Sequence, residues 1–98
     1  MANKMDQAKL LMRARKLQKE LANEIISVEA GDGAVTIEIS GEQKIKKIHI
    51  NPEQIDLDDI GELELWLEKA VREAINQSQK LAAEKMQPMM GMLGDLGL

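Results

Sequence analysis

Ninety-eight residues with 44% apolar content suit one small domain, and the absence of cysteine excludes a disulfide framework and thiolate chemistry. The formal net charge is -4, and with one Trp and no Phe or Tyr the core has to be assembled from Leu, Ile, Val, Met and Ala. No apolar run approaches the roughly 20 residues of a membrane span, and the N-terminus lacks a secretory h-region, so a cytoplasmic protein with no membrane partner is expected.

The charge is unevenly placed. Residues 1–23 carry six basic side chains, Lys4, Lys9, Arg13, Arg15, Lys16 and Lys19, against two acids, Asp6 and Glu20. Residues 50–98 reverse the balance, with ten acids against Lys69, Arg72, Lys80 and Lys85. Such a division suits either a basic surface for an anionic partner or opposite charges meeting within an oligomer.

In chain order, Leu10, Ala14, Leu17, Leu21 and Ile25 recur with the 3.6-residue period of an amphipathic helix, predicted from about Asn3 to Glu24. The six basic residues fan across the opposite half of the helical wheel, and Met5 and Met12, seven apart, interrupt that face with apolar side chains. The period then changes to two. Ile26 and Val28, Val35, Ile37 and Ile39, and Ile48 and Ile50 alternate with polar neighbours, which predicts three strands with one buried face. Ser27, Glu29, Thr36, Glu38, Lys47 and His49 would form the wet face. Gly31-Asp32-Gly33 and Ser40-Gly41-Glu42 supply turn chemistry at hairpin spacing, so an antiparallel meander is expected.

Asn51-Pro52 closes the third strand, and Asp56, Asp58 and Asp59 supply the cap and acidic first turn of a second helix. Its stripe of Leu63, Leu67, Ala70, Val71, Ala74, Ser78 and Leu81 predicts a helix to about Met86, which must overhang so short a sheet. Pro88 and the glycines beyond it divide the chain into a domain over 1–87 and a flexible Met/Gly/Leu tail over 88–98. The open sheet edges and surplus aliphatic stripes call for dimerisation.

The basic Met/Gln/Lys helix, the G-x-G-A-V-T-I-E-I-S-G hairpin at Gly31 to Gly41, the I-x-I-N-P-E segment at Ile48 to Glu53, the acidic cap at Asp56 to Asp59, the long helix and the Gly/Met/Leu tail occur in order. Together they resemble the YbaB/EbfC family of bacterial nucleoid-associated proteins over essentially the whole chain. The resemblance implies an α+β, α-β-β-β-α chain that forms a tweezer-like homodimer, binds double-stranded DNA in the nucleoid and influences gene expression. On that reading Lys4, Lys9, Arg13, Arg15, Lys16 and Lys19 contact phosphate, which attracts cations without reading sequence. The alternative for the same face is pairing with the acidic helix of the dimer. Lys44, Lys46 and Lys47 suit either edge-strand protection or a secondary DNA contact, and Lys80 and Lys85 are further secondary candidates near the end of a helix that is otherwise strongly acidic.

No nucleophile–base pair, metal-ligand spacing or cofactor fingerprint is present, so no enzyme activity, metal, cofactor or small-molecule substrate is expected. His49 has no second His and no Ser or Cys partner in pattern; it is read as structural or exposed. The acids at 56–64 lack the spacing of a calcium loop and are read as helix capping. Trp66, among Glu62, Glu64 and Glu68, is read as a seam or dimer contact. The competing function is a protein-interaction module in which the overhanging helices and Met86, Met89, Met90, Met92, Leu93, Leu96 and Leu98 grip another protein.

Overall fold

The structure, a computed structural model, describes residues 4–95 of the chain, with side chains through residue 91. Helix α1 (Lys4–Asn23) leads into strands β1 (Ile25–Ala30), β2 (Val35–Ser40) and β3 (Ile45–Ile50), a 3-10 turn at Pro52–Gln54, and helix α2 (Ile60–Asp95). The strands pair antiparallel in the order β1-β2-β3. The α+β meander with two long helices is therefore present as its alternating pattern requires.

Pairing of Ile26 with Ile39, Val28 with Ile37 and Ala30 with Val35 puts these side chains on one face. That face packs on α2, where Ala70, Ala74 and Ser78 are buried at successive turns and Leu63, Trp66, Leu67 and Val71 close the flanks. Small residues at i, i+4 and i+8 let the helix approach the sheet closely. Asp59 starts α2: its Oδ1 accepts from the Glu62 amide at 3.2 Å, while Asp56 Oδ1 accepts from the Asp58 amide at 2.9 Å. The acids are caps.

Two glycines are required by contacts. Gly31, at φ +65°, lies so close to Trp66 that a Cβ there would fall 2.5 Å from the indole ring. Trp66 therefore packs within its own chain, against the β1–β2 turn. Gly41 lies on the C-terminus of α1, and its amide donates to the carbonyls of Leu21 and Glu24, both at 2.9 Å. These carbonyls are among those a helix end leaves without partners, so the β2–β3 turn caps α1. The Asn51-Pro52-Glu53-Gln54 segment is a second clasp. Asn51 Oδ1 accepts from the Glu53 amide, Asn51 Nδ2 donates to Gln54 Oε1, and Gln54 Nε2 donates to the Asp32 carbonyl at 2.9 Å.

Two expectations are corrected. Ile48 and Ile50 share the buried-face register with Ile37 and Val35, yet they are exposed, at 48% and 38%, as is Ile45. The reason is width: α2 packs across β1 and β2 and leaves β3 largely uncovered. The expected end of the second helix near Met86 also falls short, because α2 continues through Pro88 to Asp95. Proline removes one helical hydrogen bond. Here exposed Pro88 and half-buried Met89 line a cleft with Leu17 and Arg13 of α1, and the helix runs on past the break. Leu96 and Leu98 lie outside the described residues, as do the side chains of Met92 and Leu93.

Candidate nucleic-acid interface

The chain extends over 64 × 19 × 15 Å, whereas a six-residue strand spans about 20 Å. The excess length is helical. α1 touches the sheet through its C-terminal end, where Leu21 is buried beneath Gly41, and then runs beside the C-terminal part of α2. Ser78 anchors the junction, since its buried Oγ donates to the Ser40 carbonyl at 2.7 Å. Lys85 Nζ lies 3.4 Å from Glu24 Oε1 across the same junction. The two helices thus form an arm whose root is held by buried contacts.

Along this arm Leu10, Ala14 and Leu17 are half-buried, and Lys4, Lys9, Arg13, Arg15, Lys16 and Lys19 are all exposed. They keep to the half of the helix opposite the apolar stripe, and two of them also border the cleft beside α2. Arg13 and Lys16 line the cleft with Glu20 of α1 and with Glu84, Lys85, Pro88 and Met89 of α2. The signal was in the spacing: Arg13 is three residues after Leu10 and four before Leu17, so it borders the apolar stripe. Lys9, one turn earlier, continues the row that Arg13 and Lys16 form at the cleft rim.

The secondary candidates do not join this face as a group. Lys44 is 3.3 Å from Glu42 in the β2–β3 turn, and Lys47 is opposite Glu38 on the wet face of the sheet. Lys46 falls in the irregularity of the β2–β3 register. Lys80 lines a cleft with Glu24, Glu73 and Glu84, and Lys85 belongs to the junction already described. His49 is exposed opposite Thr36. Among the described residues no group of three or more His, Cys, Asp or Glu is placed to hold a metal ion, and no helix is long and apolar enough to cross a membrane.

A small α+β protein with a cationic helical arm is the class that fold and site define. The chain belongs to the YbaB/EbfC DNA-binding family, whose sequence model matches residues 1–93. A nucleoid-associated protein of Chloroflexus aurantiacus is 40% identical over 82 residues, covering 84% of this chain and 82% of its own length. Another, from Ruminiclostridium cellulolyticum, is 38% identical over 97 residues and covers 98% of this chain and 84% of the relative. The crystal structure of an uncharacterised protein from Helicobacter pylori shares the fold, with a TM-score of 0.78 over 86% of this chain and 88% of that one, at 14% identity.

Proposed function

We propose that this protein binds double-stranded DNA as a homodimer, mainly through phosphate contacts from α1, and so influences nucleoid organisation and gene expression in the bacterial cytoplasm. The observation that carries the reading is the exposure of all six α1 cations on an arm that extends beyond the sheet, in a chain of net charge -4. Cations concentrated on a projecting helix neutralise phosphates and release counterions, whereas the acids of the first half of α2 lie towards the other end of the molecule and discourage DNA there.

The uncovered strip of Ile45, Ile48 and Ile50 supports the dimer. It continues the core face onto an edge strand, and covering three such half-exposed side chains contributes about 2–4 kcal/mol per protomer. A second copy seated there would also shield the edge strand β3. The test is an electrophoretic shift of the purified chain with random and palindromic duplexes at two salt concentrations. Steep weakening with salt on both duplexes supports phosphate binding. Binding that ignores salt, or no shift at all, removes it.

A further inference from the structure

Of the exposed apolar side chains on the arm, Leu11, Met86 and Met90 among them, two lie within the cationic face of α1. Met5 and Met12 are 70% and 69% exposed and belong neither to the core nor to the cleft between α1 and α2. At about 100° per residue they fall in the middle of the cationic face, with Lys9 and Lys16 on one side and Arg15 and Lys19 on the other. Seven residues separate them, about 10 Å along the helix axis, or about three base-pair steps of B-DNA. A solvated helix face gains nothing from two thioethers, since Gln, Lys and Glu are comparable helix formers without the apolar exposure. An apolar centre with cationic margins instead matches a groove that has phosphates on both walls and methyl groups on its floor.

We propose that this outward face of α1 lies in the major groove, with Met5 and Met12 against thymine C5-methyl groups and the flanking cations on the phosphates of both walls. The inference rests on the DNA reading given above and specifies how that surface is used. A helix with side chains is about 10–12 Å across and the major groove is about 12 Å wide, so the helix fits; thymine presents the methyl group only there. Backing by α2 leaves the outward face unobstructed. Methionine suits the role because its flexible, polarizable side chain adapts to different steps, giving preference for thymine-containing tracts without a fixed sequence.

The test compares wild type with M5Q/M12Q on two duplexes of one sequence, one containing thymidine and the other deoxyuridine at every such position, with affinity read by fluorescence anisotropy and mass by light scattering. Wild type should bind the thymidine duplex tighter by about fourfold for each methyl contacted, the gain from burying one methyl-sized group. The variant should bind both duplexes alike, as wild type binds the deoxyuridine duplex, with its salt dependence and mass unchanged. Equal wild-type affinity for the two duplexes overturns the groove placement. A changed mass of the variant overturns it as well, by assigning the methionines to a seam between helices. Absence of wild-type binding to either duplex at low salt refutes the DNA reading itself.

Discussion

Substituting Gly41→Ala should loosen the arm at its root. The added Cβ would fall 2.9 Å from Leu21 Cδ2, 3.0 Å from the Leu21 carbonyl oxygen and 3.2 Å from Leu21 Cα. A flexible side chain could yield to the first contact, but the other two are backbone, so the turn and the end of α1 must separate. That movement weakens the two amide contacts to Leu21 and Glu24, each 2.9 Å long. Overpacking together with partial loss of these bonds costs about 2–3 kcal/mol, or roughly 8–24 °C in melting temperature for a domain of this size. Circular dichroism at 222 nm, at fixed protomer concentration, reads the change. Gly61→Ala is the control, because its Cβ meets only Asp59 Oδ1 at 3.7 Å on an exposed helix; there Ala should stabilise by about 0.4–1 kcal/mol. A Gly41→Ala melt within about 2 °C of wild type would show that this turn does not cap α1.

Gly31→Ala should destabilise by at least about 2 kcal/mol, because it combines a positive φ with a clash against the Trp66 ring; the fluorescence of this one Trp should shift to the red as the ring is displaced. Ser78→Ala should cost about 1 kcal/mol in urea unfolding, since the Ser40 carbonyl loses a buried donor but keeps the Gln43 amide at 3.0 Å. Ile48→Lys places a charge on the uncovered sheet face. If a second copy seats there, light scattering should fall from about twice the 10.9 kDa chain mass towards a single chain, and an unchanged dimer mass would move the interface elsewhere.

Most of the fold was legible because local patterns agreed with one another: the 3.6-residue stripe of Leu10, Ala14, Leu17 and Leu21, the period-two isoleucines, and Asp59 before a long apolar stripe. Three features depended on distance in space rather than on neighbours in sequence. Periodicity marks Ile48 and Ile50 as one face of a strand, but not whether one helix is wide enough to cover three strands. Pro88 is a local helix breaker, yet α2 continues through it, with half-buried Met89 at the cleft beside Leu17 of α1. The basic residues of the candidate site were all visible from composition, whereas the approach of Arg13 and Lys16 to Glu84 required knowing that α2 runs alongside α1. The small contacts at Gly41 and Ser78 carry no periodic signature. Only their partners reveal why those residues are there.

The measurement closest to the central claim is the slope of log binding constant against log salt for wild type and for the K9Q/R13Q/K16Q variant on one duplex. Neutral glutamines avoid placing new like charges beside Glu20 and Glu84. Three cations in each of two subunits would neutralise about six phosphates, so the variant's slope should be shallower than wild type's by about 5, at about 0.9 per phosphate. Its melting temperature and mass should remain those of wild type. An unaltered slope with binding retained would contradict the claim that α1 holds the phosphates.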